Sequence, residues 1–302
     1  MRDEKPVIAV DGRGALRDQR DFEGEYLYHL LTELGFMSRP YDLHVFGDLT
    51  ADPEVLRRLR MILPVDLLIT PNFLTWDQMA FPQAMHGAAL VYGVRPLLSR
   101  IPAIVTLFKP LSEESSAYRR FTLRRALSKA LRVVAASEAL KKEAAGFGIE
   151  SHRIVIAPAG VRQVIETPHF PKEDHVLVEP SIYGAIEEIL ASERLAVKPL
   201  ISGSESERQN ALQTALVYIG GGSTAESAWN RLLAKSSGCP VVEASDSSQE
   251  LLAAVSRLQD ETDHARHIAD QGLASATRET WRKMADTIHQ TFLSTLQDLH
   301  LL

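Results

Sequence analysis

Cysteine is nearly absent: Cys239 is the one thiol in 302 residues. A lone thiol excludes an intramolecular disulfide and any cysteine-built zinc site, and it fits a reducing compartment. An excess of positive charge is absent too. Lys and Arg number 33 against 39 Asp and Glu, a net charge of −6, so the basic footprint of a general nucleic-acid binder is missing and no nucleic-acid partner is expected. No apolar run approaches the ~20 residues of a bilayer-spanning helix. The opening MRDEKPVIAV is charged and then briefly apolar, without a signal-peptide core, so a cytoplasmic protein is expected. The ten histidines show no His-Glu-x-x-His or comparable spacing, and no metal site is expected. No Gly-x-Ser-x-Gly elbow supports a serine hydrolase.

What is present is apolar substance: 45% of the residues are hydrophobic, enough for about two domains. PVIAVDGRG reads as a buried strand running into a loop. GEYLYHLLTELG follows at helical spacing, with Gly35 as its stop. YDLHVFG is a strand, DPEVLRRLRMIL a helix with Pro53 in its first turn, and VDLLITPNF a strand ended by Pro71. FPQAMHGAALVYGVRPLLSR reads as a loop and a tightly packed helix. IPAIVTLFKP is a strand, SAYRRFTLRRALSKALR a basic helix, VVAAS a strand, EALKKEAAGFG a helix capped by Ser137, and RIVIAPAGV a last strand. This alternation implies a mainly parallel sheet covered on both faces.

IETPHFPKED, residues 165–174, breaks the pattern with two prolines and no periodicity, and reads as a linker. The expected domains are therefore 1–164 and 165–302. The second begins again with strand HVLVEP and helix YGAIEEILASE. Strands RLAVKPLIS, ALVYIG and CPVVEA follow, and the tail from Gln249 is helical.

One stretch, ALVYIGGGSTAESAWNRLLAKSSGCPVV, places Gly220, Gly221 and Gly222 where a strand stops and a helix starts. Two readings stand side by side. The glycines turn the chain and Glu226 complements the helix dipole. Alternatively, glycine lets an anion reach helix N-terminal amides, Ser223 and Thr224 add hydroxyls, and Glu226 accepts hydrogen bonds from sugar or ribose hydroxyls. GGGST matches neither the P-loop nor the dinucleotide glycine spacing.

The segment ALRVVAASEALKKEAAGFGIESHRIVIAPAGV resembles the end of the N-terminal domain in GT-B glycosyltransferases of family 4 (glycosyltransferase group 1). Ser137, Glu138, Arg153, Ile154, Pro158, Gly160 and Val161 carry the likeness. VDGRG…FEGEYLYHLL is similar to that family's opening through Asp11, Arg13, Gly24 and Tyr26. SSGCPVVEA matches through Gly238, Pro240 and Val241, and RETWRKMADTIHQTF resembles its closing helix after Trp281. The resemblance implies an α/β chain of two Rossmann-like domains facing across a cleft, the C-terminal one reduced. It implies transfer of a sugar from a nucleotide sugar to an acceptor hydroxyl, the nucleotide sugar being a co-substrate and no cofactor being needed. The glycine turn would hold diphosphate and sugar, Gly24 would open the N-terminal loop towards the donor, and Glu226 would stand for the first of the family's paired glutamates.

Three departures from that pattern are present. Where the family has a donor-contacting His, this chain has Phe108 and Lys109, and Phe donates no hydrogen bond. The second glutamate falls on Ala234 or Leu233. The basic pair for the diphosphate has only Arg194 and Lys198 to offer. Losing one donor to a developing charge costs ~3 kcal/mol. Lys109 is a substitute candidate, and a solvated loop lysine is the plainer reading. The alternative function is a degenerate relative that binds a partner or sugar nucleotide without turnover.

His86 in QAMHGAAL could touch a sugar or be structural. Glu113 and Glu114 could move a proton or be solvated. The basic helix over 119–132, with Arg119, Arg120, Arg124, Arg125, Lys129 and Arg132, could meet an anionic membrane or a lipid-linked acceptor, or simply be a solvated surface.

Overall fold

The structure, a computed structural model, describes residues 5–70, 75–93, 101–113, 117–162, 165, 167–170, 172–190, 195–201, 203–222, 224–244 and 247–302. Contacts divide the chain into two units, Met1–Pro158 with Arg282–Leu302, and Ala159–Trp281.

The first unit is built on seven strands: β1 (Val7–Asp11), β2 (Asp42–Asp48), β3 (Val65–Leu68), β4 (Leu90–Gly93), β5 (Ala103–Leu107), β6 (Arg132–Ala135) and β7 (Ile154–Ile156). All pair in parallel, in the order β3-β2-β1-β4-β5-β6-β7. The central strands are short, β-branched and buried on both faces, as a parallel sheet between helices requires. Four of its helices are α1 (Phe22–Phe36), α2 (Pro53–Arg60), α3 (Ala117–Lys129) and α4 (Glu138–Gly146). Their starts are chemically marked. Asp21 accepts from Gly24 N, Asp52 caps α2 with Pro53 in its first turn, and Ser137 accepts from Leu140 N.

The second unit carries β8 (Glu173–Val178), β9 (Ala196–Pro199), β10 (Ala215–Gly220) and β11 (Val241–Glu243). They are again all parallel, in the order β11-β10-β8-β9. Around them lie α5 (Tyr183–Leu190), α6 (Glu205–Thr214), α7 (Ala225–Ser236), α8 (Ser248–Asp260) and α9 (Thr262–Ala276). Val176, Val178, Val217 and Ile219 from the strands form its core with Leu251, Val255 and Leu258 of α8. Each such side chain contributes about 1.5–3 kcal/mol on burial.

The chain ends in α10 (Trp281–Asp298). The sequence reading closes the second domain with this helix, but it packs within the first unit. Phe292 meets Tyr41 and Tyr92 edge-on at 5.8 and 5.4 Å, and Asp298 accepts from Arg132 at 2.6 Å. Two elements depart from the expected pattern. β4, inside FPQAMHGAALVYGVRPLLSR, is a central strand beside β1, too short for periodicity to mark. α6 begins at a capping box, Ser204 with Glu207. The contact boundary lies at Pro158/Ala159, before the expected linker, and β8 starts within that linker's last residues.

Candidate functional site

In each sheet the strand order reverses once, and ligands in such sheets sit beyond the strand carboxyl ends at the reversal. In the second unit the reversal lies between β8 and β10. Glu179 follows the first of these strands, and Gly221 and Gly222 follow the second.

The bend needs its glycines for geometric reasons. Gly222 has φ +85°, and a Cβ there would lie 3.0 Å from Ser227 Oγ. A Cβ on Gly221 would meet Ile182 Cδ1 at 2.8 Å. Thr224 then caps α7: its hydroxyl accepts from Ser227 N at 3.0 Å and lies 2.9 Å from Ser227 Oγ. The amides of Ala225 and Glu226 occupy the first two helical positions, where no intrahelical acceptor exists and the dipole is positive. Chemically, the bend offers close backbone approach to an anion beside a half-exposed carboxylate.

That carboxylate is held. Glu226 Oε1 accepts from Arg208 Nη1 and Nη2 at 3.2 and 3.1 Å. Arg208 is the buried partner, 6% exposed against 45%. Its guanidinium also donates to Asn230 Oδ1 at 2.7 Å and to the Gly203 carbonyl at 3.2 Å, and it lies 5.1 Å from the Trp229 ring centre. Asn230 Nδ2 donates to both oxygens of the buried Glu179, at 3.4 and 3.3 Å, and the Tyr218 hydroxyl donates to Glu179 as well. Burial first, and the Glu179 charge second, push the Tyr218 phenol far above its usual range. One polar chain therefore runs Glu226–Arg208–Asn230–Glu179–Tyr218 across the reversal point. The sequence reading missed Arg208, Asn230, Glu179 and Tyr218. Its one usable signal was Ser204-x-x-Glu207, which starts a helix and sets Arg208 one turn in.

The other expected residues are dispersed. Gly24 is buried in α1, and a Cβ there would lie 2.6 Å from the Gly14 carbonyl oxygen. Asp11 and Arg13 form a bidentate pair at the end of β1, Arg13 also reaches Asp77 at 3.0 Å, and it stacks over Trp76 at 4.4 Å. Phe108 is buried against Phe22 and Tyr26, while Lys109 is half-buried just past β5. His86 is exposed after the short helix Phe81–Ala84, and Lys198 is exposed on the edge strand β9. Ser223, Arg194 and Glu114 lie outside the described residues, as do the side chains of Glu113 and Arg119. Among the described residues no group of three ligating side chains could hold a metal ion.

No family model matches the chain, and no curated protein matches it. Solved structures do. Anabaena Alr3699/HepE, in complex with UDP and glucose, is 15% identical, with 96% of this chain and 100% of that one covered at a TM-score of 0.64. Sucrose-phosphate synthase from Thermosynechococcus elongatus is 11% identical, with 98% and 100% covered at 0.70. The lipopolysaccharide outer core galactosyltransferase WaaB is 10% identical, with 97% and 100% covered at 0.63. The chain has their fold, the GT-B fold of glycosyltransferases, with two Rossmann-like parallel sheets. At such identities the likeness carries the fold, and chemistry must be argued from the site.

Proposed function

We propose that this protein transfers a sugar from a nucleotide-sugar donor to an acceptor hydroxyl without a metal ion. The reading rests above all on the Gly221–Gly222 bend and the capped start of α7 at the β8/β10 reversal. Support comes also from a neighbour of the same fold that holds UDP-glucose. In this reading Gly221, Gly222, Ser223 and Thr224 surround phosphate or sugar oxygens, and Glu226 accepts from donor hydroxyls. The helix N-terminus receives charge that a metal would otherwise neutralise. Arg208 acts through Glu226, fixing its carboxylate and offsetting its charge where an anion approaches. Gly24 opens the N-terminal loop towards the donor, and Lys109 substitutes for the donor-contacting His that this chain lacks. The acceptor is a sugar or lipid-linked sugar, and the basic helix α3 makes a peripheral membrane contact at the inner face.

Thermal stability against UDP-, GDP- and ADP-sugars tests donor binding: a ligand at 100 times its Kd stabilises by ~2.7 kcal/mol. The binders are then assayed for release of nucleoside diphosphate, with and without EDTA. Release unchanged by EDTA supports the proposal. Binding without release identifies the non-turnover relative instead, and no binding overturns sugar transfer and leaves the relative that binds a partner.

A further inference from the structure

We propose that α3 docks the protein on an anionic lipid bilayer, with Phe121 as the side chain that enters the membrane. The inference gives residues and lipid class to the membrane contact assigned to this helix, and it does not depend on the sugar-transfer reading.

The argument begins with partners. Several exposed arginines elsewhere meet carboxylates: Arg57 and Arg58 meet Glu54, Arg257 meets Glu261, and Arg282 meets Asp286. Arg120, Arg124, Arg125 and Lys129 of α3 have no carboxylate partner among the described residues, and AYRRFTLRRALSK holds no acidic residue. In a chain of net charge −6, such a helix is a local reversal of sign.

The second step is the wheel. At about 100° per residue, Leu123, Ala126 and Leu127 face inward and are buried, while Arg120, Phe121, Arg124, Arg125, Ser128 and Lys129 are exposed. Phe121 falls near the middle of that outer arc. Arg120 and Arg124 flank it on one side, Arg125 and Lys129 on the other. Phe121 is 64% exposed, a state water does not favour for an aromatic ring. Next to this arc, Arg124 lies 5.2 Å from the ring centre of Phe147, itself 39% exposed. The cavity beside it, lined in part by Arg124, Phe147 and Arg153, measures about 100 Å³, far below what a nucleotide sugar needs. The feature is a surface. An apolar anchor ringed by cations on long apolar stems suits the boundary between acyl chains and anionic headgroups. A nucleic acid would also satisfy the cations and stack on Phe121, so the test carries an RNA arm.

The test is flotation of the full chain with vesicles of phosphatidylcholine alone and vesicles also containing phosphatidylglycerol, with no nucleotide sugar present. Binding to the anionic vesicles, weakened by salt, is expected. Arg124→Gln and Arg125→Gln should each weaken partitioning about fivefold, and Phe121→Ser about tenfold. Arg57→Gln should change nothing. All four positions are exposed, so circular dichroism should stay unchanged. Equal binding to neutral vesicles, no binding, or full binding by Phe121→Ser would each overturn the proposal. So would binding to an RNA oligonucleotide in place of vesicles. Failure here leaves nucleoside diphosphate release untouched, and failure of release leaves vesicle binding untouched.

Discussion

A guanidinium nitrogen of Arg208 lies 3.1 Å from a carboxylate oxygen of Glu226, and the two ends of this pair sit in different surroundings: 6% exposed for Arg208, 45% for Glu226. Removing the outer partner leaves a buried charge without its counter-ion. Fully buried pairs lose ~3–5 kcal/mol in that way. Water reaches Glu226, so about 2 kcal/mol is expected for Glu226→Ala, read as a lower melting temperature. Adding Arg208→Met to Glu226→Ala should restore part of the loss. A melting temperature unmoved by Glu226→Ala would show that Asn230 and Gly203 suffice for Arg208.

Gly222 supplies the second prediction. Its φ of +85° and the 3.0 Å approach to Ser227 Oγ make any side chain strained, at about 1–3 kcal/mol. Gly222→Val should lower the melting temperature and abolish the stabilisation by a bound nucleotide sugar. A full ligand-induced shift in that variant would place the ligand elsewhere.

Which parts of this were legible beforehand follows from how far apart the cooperating residues lie. Strands such as VIAVD and ALVYIG are continuous apolar runs, and Ser137 and Pro53 mark helix starts by local chemistry, so one window of sequence suffices. β4 has four residues among alanines and glycines, and no period can show in four. The glycine bend was readable because strand, turn and helix are contiguous. The polar chain behind it was not: Arg208 and Glu226 are separated by all of β10, and Glu179 comes from the neighbouring strand. α10 was placed with the wrong unit because its amphipathic face is equally consistent with either sheet, and only the contacts of Phe292 with Tyr41 and Tyr92 decide.

Two glycines should respond oppositely to alanine. A Cβ on Gly160 would lie 2.1 Å from backbone atoms of Thr280 and Trp281, and the Gly160 carbonyl accepts from Trp229 Nε1 at 3.0 Å. Backbone cannot yield cheaply there, so Gly160→Ala should cost about 3 kcal/mol or prevent soluble accumulation. Gly184, in α5, has nothing within 4 Å of a Cβ. Gly184→Ala should gain about 0.5–1 kcal/mol through helix propensity. Both effects are read by urea denaturation followed by circular dichroism.

His289 predicts a pH dependence. Its Nδ1 lies 2.6 Å from the Tyr41 hydroxyl. Burial first holds the imidazole below its usual range; Asp286 opposes this, and Arg39 and Arg282 reinforce it. The folded state therefore binds fewer protons than the unfolded one, so stability is full above the unfolded value of about 6.5 and falls as pH drops below it. The melting temperature should be lower at pH about 5 than at about 7.5. His289→Gln, which keeps an acceptor for Tyr41, should narrow that difference. An unchanged difference would assign the dependence to other groups, His175 among them, whose ring is likewise held low by burial.

Phe108 decides what its departure from the glycosyltransferase pattern means. The ring is 5% exposed and meets Phe22 and Tyr26 edge-on, at 5.5 and 4.9 Å. Phe108→Ala should cost about 3–5 kcal/mol, the range for an aromatic cavity. Phe108→His puts a polar ring between two aromatic ones, at about 2 kcal/mol unless a partner is found. If this position only packs, Phe108→His lowers the melting temperature and does not raise nucleoside diphosphate release. Faster release at an unchanged melting temperature would show instead that a side chain here reaches the donor, and that phenylalanine holds turnover down.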